Sequence, residues 1–181
     1  MSEGLFSLVT RKLVTVEPPV GSLRRASVSI ILKDRGEPST LLIKRAERVG
    51  DPWSGQVAFP GGKSQEGDAT LKGTAIRETR EEVGLDLGNA EFLGYFAPFR
   101  THTGTMDVVP SVFLLNGEAE VHVNDEVSSF RWVRLESLGS KRQASSFKID
   151  VGGIVREMPA MLVDDYVVWG LTHRIIAALL E

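Results

Sequence analysis

The chain of 181 residues contains no cysteine, which excludes a disulfide framework, a thiolate metal site and a cysteine nucleophile. Its three histidines are scattered along the sequence, so a histidine-based zinc site is not expected. No apolar run approaches the ~20 residues that a membrane-spanning helix needs. The N-terminus also lacks the apolar core of a signal peptide. We therefore expect a cytoplasmic protein with no membrane partner.

The chain has little excess charge of either sign. A formal net charge of −3 gives no electrostatic case for binding nucleic acid. A hydrophobic content of 42% and a charged content of 25% are typical of globular proteins. We predict a single domain over residues 1–181, because this length suffices for one domain with a sizeable core. Residues 1–23 form an N-terminal extension that either packs on the domain or makes a dimer contact.

Apolar runs bounded by turn residues predict a series of strands. The predicted strands cover residues 26–32, 40–44, 56–59, 90–96, 108–115 and 126–133. A first hairpin is predicted around Gly36, and a second one joins residues 147–151 to 154–156 around Gly152-Gly153. A closing helix is predicted over residues 166–180. Strands before, between and after two helices indicate a mixed sheet sandwiched by helices.

Residues 59–85, with the sequence FPGGKSQEGDATLKGTAIRETREEVGL, carry the strongest chemical signal. Pro60-Gly61-Gly62 predicts a turn, because proline fixes φ and glycine tolerates positive φ. A helix is predicted over residues 69–83. Asp68 is its predicted N-cap, and Gly84 is the predicted left-handed residue after its end.

At ~100° per residue, one arc of this helix is predicted to be buried. Its members are Leu71, Ala75, Ile76, Thr79 and Val83. Glu78 and Glu82 lie at the edge of this arc, while Arg77 is four residues before Glu81 and can hold it. A solvated face with ion pairs is the ordinary alternative, but like charges at Glu78 and Glu82 repel each other. A divalent cation, which prefers oxygen ligands, explains why both Glu78 and Glu82 lie at the edge of the buried arc.

The helix and its preceding turn resemble the signature of the Nudix hydrolase family. That pattern runs Gly, five residues, Glu, seven residues, then Arg-Glu-apolar-X-Glu-Glu-X-Gly-apolar. The matching residues are Gly62, Arg77, Glu78, Glu81, Glu82, Gly84 and Leu85. Fourteen residues separate Gly62 from Arg77, one more than the pattern has, and Thr79 occupies an apolar position. The longer spacing, with Asp68 in place of the first glutamate, is similar to the coenzyme A pyrophosphatase branch.

An upstream segment is similar to a second motif of the same branch, which has Leu-Leu, Arg-Ser/Ala and then Gly-Gln-Val-Ala before Pro-Gly-Gly. Residues 41–46 and 55–62 match it, whereas residues 47–54 are one residue longer than the usual spacing. A family arginine falls opposite Gly50, and Arg48 is the candidate to replace it. Trp53 either stacks on a base, as aromatic faces do, or packs the loop onto the domain with Pro52.

Two further residues are candidates for the site. Arg45 is the candidate phosphate contact, because its guanidinium suits bidentate binding; alternatively it is a surface strand end. Glu126 lies where many Nudix enzymes carry an acidic residue that binds metal or acts as the base; alternatively it belongs to an exposed acidic turn.

The resemblance implies an α/β/α sandwich with a mixed β-sheet and hydrolysis of a nucleoside diphosphate linked to another moiety. It implies two or more Mg²⁺ or Mn²⁺ ions held by Glu78 and Glu82, with help from Glu81 and the Gly61 carbonyl. Arg77 is expected to orient Glu81, and a carboxylate of the helix or Glu126 is expected to accept a proton.

The favoured substrate is coenzyme A or an acyl derivative, cut to 3′,5′-ADP and a phosphopantetheine. ADP-ribose or a nucleotide sugar is the alternative. A third possibility is a regulatory domain that binds nucleotide without cleaving it. A homodimer is a mild expectation from the family.

Overall fold

The computed structural model describes residues 2–21, 24–34, 37–51, 53–139, 144–151 and 154–181. Within these ranges the helices are α1 (Ser2–Thr10), α2 (Leu71–Val83), α3 (Leu135–Gly139) and α4 (Gly170–Leu180), and a 3₁₀ turn covers Leu87–Asn89. The strands are β1 (Arg25–Lys33), β2 (Ser39–Arg45), β3 (Val57–Ala58), β4 (Gly61–Lys63), β5 (Glu91–Tyr95), β6 (Phe99–Arg100), β7 (Asp107–Leu114), β8 (Val127–Arg134), β9 (Ala144–Val151), β10 (Ile154–Val163) and β11 (Tyr166–Trp169).

The larger sheet is mixed, as predicted. Its main path runs β3-β2-β1-β7-β5, while β4 pairs with β1, β6 with β7, and β8 with β2. The central strands β1 and β7 are parallel, whereas the other pairs are antiparallel. The strand β4 therefore enters the sheet beside the first half of β1, which brings its glycines under α2.

Successive side chains of the central strands face opposite layers, as the two-residue period of a strand requires. Ile31, Leu41 and Ile43 pack with Ala75 and Val83 of α2. The alternate side chains pack against the opposite layer, which contains α1, α4 and the smaller sheet of β9, β10 and β11. The predicted α/β/α arrangement with a mixed sheet is confirmed.

The closing helix is shorter than predicted. It begins at Gly170, because residues 166–169 form β11 and pair antiparallel with β10. These residues read Tyr-Val-Val-Trp, and β-branched and aromatic side chains favour a strand. Asp164, with φ 53°, lies in the turn between the two strands, and Gly170, with φ 64°, marks the change from strand to helix.

The two predicted hairpins are present as antiparallel pairs, β1 with β2 and β9 with β10. The turn residues Gly36 and Gly152-Gly153 lie outside the described residues.

The described part of the N-terminal extension packs on the rest of the chain. Val9 is buried in the core beneath α4, and Lys12 Nζ donates to the Ala178 carbonyl at 2.7 Å. Val14 forms an isolated bridge with Tyr95 at the end of β5. Over the described ranges, no helix is long and apolar enough to span a membrane.

Candidate active site

Both ends of α2 are capped, but the predicted N-cap was wrong. Thr70 is the N-cap, and its Oγ1 accepts a hydrogen bond from the Gly73 N–H at 3.0 Å. Asp68 lies one turn before the helix, and its carboxylate accepts hydrogen bonds from groups other than the first N–H groups of the helix. At the far end Gly84 adopts φ 70°, and its N–H donates to the Arg80 carbonyl at 3.1 Å, as predicted for a left-handed cap.

Residues 60–62 were predicted to form a turn, but Gly61 and Gly62 belong to β4 and pair with β1. Gly61 has φ 150°, and a Cβ there would overlap the Ser27 carbonyl and lie 2.5 Å from Val28 Cα. A Cβ on Gly62 would lie 2.5 Å from the carboxyl carbon of Glu78. Gly61 is therefore required for the strand to fit against β1, and Gly62 allows Glu78 to lie directly against the strand.

A buried hydroxyl pair fixes α2 against the sheet. Thr79 Oγ1 donates to Ser29 Oγ at 2.7 Å, and Ser29 Oγ donates to the Ala75 carbonyl at 3.1 Å. The Ser29 N–H donates to the Pro60 carbonyl at 2.7 Å, so the same residue also fixes the entry to β4. Thr79 occupies a position that is apolar in the family signature, and its hydroxyl provides a hydrogen bond to a hydroxyl of the sheet.

The predicted buried arc of α2 is largely confirmed. Ile76 is half-buried, and the other four members, Leu71, Ala75, Thr79 and Val83, are buried.

Glu82 is a buried acid whose negative charge has few hydrogen-bond donors to stabilise it. It is 5% exposed, and its Oε2 accepts the Gly61 N–H at 2.8 Å. The pKa of this carboxyl is raised to about 7, mainly by burial and also by the charges of Glu78 and Glu126, while the Gly61 N–H and Arg45 oppose the shift. A neutral or cation-bound carboxyl is therefore favoured at this position.

Arg77, in the middle of α2, contacts three acids. Its Nε and Nη2 donate to both Asp68 oxygens at 3.1 and 2.8 Å. Its Nη1 donates to Glu78 Oε1 at 2.8 Å and to Glu81 Oε2 at 3.2 Å, so the predicted contact with Glu81 is confirmed. Its Nη2 also donates to the Lys63 carbonyl at 3.1 Å, which fixes the end of β4.

The pKa values of Asp68 and Glu78 are shifted in opposite directions. The hydrogen bonds from Arg77 hold the pKa of Asp68 well below its usual range. Burial raises the pKa of Glu78, although Arg77 opposes the shift. Glu81 is half exposed. Sequence reasoning missed the pairing of Asp68 with Arg77, although the place of Asp68 at the first acidic position of the family signature was a signal.

The loop before β8 brings Glu126 toward the same end of α2 as Glu82. The Asn124 N–H donates to the Glu82 carbonyl at 3.0 Å, and the Ala46 N–H donates to the Glu126 carbonyl at 2.8 Å. The Glu126 carboxylate is half exposed and lies 3.8 Å from Arg48 Nη1. The structure thus brings Glu126 and Arg48 together near the buried acid.

Arg45 and Trp53 are joined through a residue that sequence reasoning missed. Asp51 Oδ2 accepts from Arg45 Nη2 at 3.1 Å, and its Oδ1 accepts from the Trp53 N–H at 2.9 Å. The Trp53 N–H and Arg45 hold the pKa of Asp51 below its usual value. Trp53 is 45% exposed, and Arg45 Nε is buried without an acceptor in the described part of the chain. Pro52 lies outside the described residues.

The donor set suits a hard divalent cation. Glu78 and Glu82 are carboxylates whose burial disfavours an uncompensated charge, and a cation bound to them would favour that charge. Among the described residues no three His, Cys, Asp or Glu side chains are already grouped around one point. The two carboxylates and the carbonyl of Gly61 are the residues that would hold it.

The α/β/α sandwich places the acids of one helix beside a Gly-Gly strand. The family model of the NUDIX domain matches residues 23–151. The chain belongs to the Nudix hydrolase family.

Individual proteins agree with this assignment. An uncharacterized Nudix hydrolase, NudL of Yersinia pestis, is 35% identical over 159 residues, which cover 87% of this chain and 79% of that protein. A MutT/nudix family protein from Enterococcus faecalis has a TM-score of 0.56 at 22% identity, over 98% of this chain and 67% of that one. The NUDIX domain of Shewanella oneidensis NrtR, solved with ADP ribose, has a TM-score of 0.52 at 19% identity, over 66% and 77%. These two structures share the fold.

Proposed function

We propose that the chain hydrolyses the diphosphate of coenzyme A or an acyl-coenzyme A, giving 3′,5′-ADP and a phosphopantetheine. The observation that carries the hydrolytic part is Glu82, which is buried against the Gly61 N–H beside a second acid and has a raised pKa. The coenzyme A part is supported by the similarity of residues 41–46 and 55–62 to the motif of that branch.

The proposed cofactor is Mg²⁺ or Mn²⁺, held by Glu78 and Glu82 with help from Glu81 and the Gly61 carbonyl. When bound, such cations lower the pKa of a water molecule and neutralise charge on a diphosphate. Arg77 orients its acidic neighbours and leaves the substrate to other residues, since its donors already contact Asp68, Glu78 and Glu81. A carboxylate of α2 or Glu126 accepts a proton from the attacking water.

Substrate contacts are proposed for the loop that leads away from β2. Arg45 binds a phosphate oxygen, and its buried Nε, which has no acceptor in the described residues, supports this role. Arg48 lies beside Glu126 and adds positive charge at the same edge. Trp53 offers its half-exposed ring to an organic moiety of the substrate, either the base or the other group.

A second candidate substrate is ADP-ribose or a nucleotide sugar. The similarity in fold to the NrtR domain that was solved with ADP ribose favours it. The same acids would serve either substrate, because both contain the diphosphate that is cut.

Product analysis by mass spectrometry tests the proposal. The protein is incubated with Mg²⁺ or Mn²⁺ and coenzyme A, acetyl-coenzyme A, ADP-ribose, ADP-glucose or dNTPs, and Glu82→Gln serves as the blank. We expect 3′,5′-ADP from coenzyme A at a rate well above the other turnovers. Faster release of AMP from ADP-ribose would select the second candidate. Tight binding of one compound without turnover would instead indicate a regulatory nucleotide-binding domain.

A further inference from the structure

The loop between β2 and β3 is ordered through one aspartate. The Asp51 side chain is 23% exposed, and its two oxygens accept from Arg45 Nη2 at 3.1 Å and from the Trp53 N–H at 2.9 Å. The backbone of Asp51 closes the same loop. Its N–H donates to the Arg48 carbonyl at 3.2 Å, and its carbonyl accepts the Ser54 N–H at 3.1 Å. One carboxylate therefore joins the two side chains that are proposed to contact the substrate.

The strand register places Arg45 on the face of the sheet that carries α2. Ile43, two residues earlier on β2, packs with α2, and side chains two residues apart on a strand share a face. The pairing with β8 is irregular here, but the extra residue, Ser128, is on β8, so side chains on β2 keep alternating. Val127, the partner of Arg45, belongs to the same apolar cluster as Ile43. Arg45 is accordingly near enough to Glu82 for its charge to oppose the raised pKa of that acid.

Arg45 keeps a donor that the described part of the protein does not use. Its Nε is buried without an acceptor among the residues that the structure describes, whereas its Nη2 is bound to Asp51. Buried donors nearly always have a partner. A fixed contact at one nitrogen reduces the freedom of a long side chain and leaves the other donors of the guanidinium for an anion. Asp51 therefore holds Arg45 without occupying Nε.

We infer that Asp51 is a positioning residue for substrate binding, which orients Arg45 toward the diphosphate and fixes the loop that carries Trp53. The inference rests on the proposed function, in which Arg45 binds a phosphate oxygen and Trp53 contacts an organic moiety. Asp51 stays bound to the protein and does not touch the substrate. Because its carboxylate joins both contacts, a compound that carries a diphosphate and an organic moiety meets one ordered unit.

Two substitutions at Asp51 separate its two contacts. Asp51→Asn keeps an oxygen for the Trp53 N–H but loses the charge that holds Arg45, whereas Asp51→Ala loses both. With the panel compound that the wild type cleaves fastest, we expect Asp51→Asn to raise KM about three- to tenfold with little change in kcat, and Asp51→Ala to raise it further. Tm should change little, since a partly exposed ion pair contributes little to stability. Asp86→Asn is the matched control, because the exposed Asp86 also accepts from the N–H two residues later and should keep the wild-type KM.

Combined variants test whether Asp51 acts through its two partners. Asp51→Asn should have no further effect on KM in the Arg45→Ala protein, and the additional effect of Asp51→Ala should disappear in the Trp53→Ala protein. An equal effect of Asp51→Asn with and without Arg45 would overturn the inference. A lower KM in Asp51→Asn would also overturn it, because it would show that Asp51 competes with the substrate for Arg45.

A signal from Arg45 itself separates this inference from the proposed function. The NMR resonance of its Nε–H, assigned by its loss in Arg45→Lys, is recorded in Glu82→Gln protein with and without saturating ADP and Mg²⁺. We expect ADP to shift the resonance, and Asp51→Asn to shift or broaden it in the free protein and to weaken the binding of ADP. A resonance that responds to ADP but is unchanged by Asp51→Asn would overturn the role of Asp51 alone. A resonance that ADP leaves unchanged would contradict the phosphate contact of Arg45, and this inference with it.

Discussion

Two acids near opposite ends of α2 differ in burial, and their pKa values are shifted in opposite directions. Asp68 is partly buried, whereas Glu82 is buried and only 5% exposed. Asp68 accepts two hydrogen bonds from Arg77, one from Thr74 Oγ1 and one from the Gln65 N–H. Glu82 accepts one, from the Gly61 N–H. The hydrogen bonds from Arg77 are the main cause of the lowered pKa of Asp68, whereas burial is the main cause of the rise in the pKa of Glu82 to about 7, so burial and the number of donors together decide which acid is charged.

The two ends of α2 have different tasks. Asp68 has its charge satisfied by the protein itself and anchors Arg77, which in turn orients Glu78 and Glu81. The charge of Glu82 is left to be satisfied by something else, and a cation is the partner that suits it. Stability should therefore depend on the Asp68 end, and turnover should depend on the Glu82 end.

The largest expected effect comes from Glu82→Gln. The amide keeps the shape of the side chain but cannot provide a charged ligand, so we expect kcat to fall about a thousandfold or more. The fold should remain, because a buried acid with a raised pKa is replaced by a neutral group. Turnover with Mg²⁺ and thermal melting monitored by circular dichroism measure both quantities. Glu91→Gln, at an exposed position on β5, is the control; near-normal turnover of Glu82→Gln would remove the role of this residue as a ligand.

The next largest effect is on the pH dependence of stability in metal-free protein. The folded state binds a proton at Glu82 more tightly than the unfolded chain, since the pKa rises from 4.5 to about 7. The associated stabilisation is complete below pH 4.5 and is lost as the pH rises through 7, a loss of about 3 kcal/mol in the free energy of unfolding. Asp68 acts in the opposite direction, because its lowered pKa gives stability that disappears only as the pH falls below its ordinary range.

Urea unfolding in EDTA between pH 5 and 8 measures this dependence. Glu82→Gln should flatten the curve and should be more stable than the wild type at pH 8. An unchanged slope in that variant would show that another group is responsible. Mg²⁺ should restore stability to the wild type at pH 8 and have little effect on the variant.

At the other end of the helix, Asp68→Asn should mainly affect stability. It leaves Arg77 with a neutral partner and weakens two charged hydrogen bonds, so we expect a loss of roughly 1–3 kcal/mol. That corresponds to a decrease of about 3–10 °C in Tm for a chain of this size. Asp34→Asn, at an exposed position, is the matched control. A decrease in kcat as large as that of Glu82→Gln, with no change in Tm, would contradict the division of tasks.

Much of this arrangement could be predicted from the sequence because it depends on local periodicity. The strands, the buried arc of α2 and the contact between Arg77 and Glu81 follow from spacing along one element. The closing helix was predicted four residues too early, because an apolar run of Tyr-Val-Val-Trp has no period that separates a strand from a buried helix.

The missed features depend on contacts between distant segments. Thr79 meets Ser29 across 50 residues, and Asp51 joins Arg45 to Trp53 within a loop of irregular conformation. The N-cap was wrong for a related reason. Asp68 and Thr70 are both suitable N-cap residues. The Asp68 carboxylate accepts a hydrogen bond from Arg77, nine residues later, and Thr70 caps the helix.

Arg45→Ala should have the smallest effect of these substitutions, and it tests the surroundings of Glu82. Arg45 is one of the groups that oppose the raised pKa of Glu82, and its proposed partner is a phosphate oxygen. Its removal should raise KM about tenfold with a small change in kcat, since the contact exists in both the bound and the transition state. Arg45→Lys keeps the charge without the bidentate geometry and should lie between the two. Steady-state kinetics with coenzyme A from pH 6 to 9 give both constants. If kcat alone falls while KM is unchanged, Arg45 acts through the ionisation of Glu82 and not as a phosphate contact.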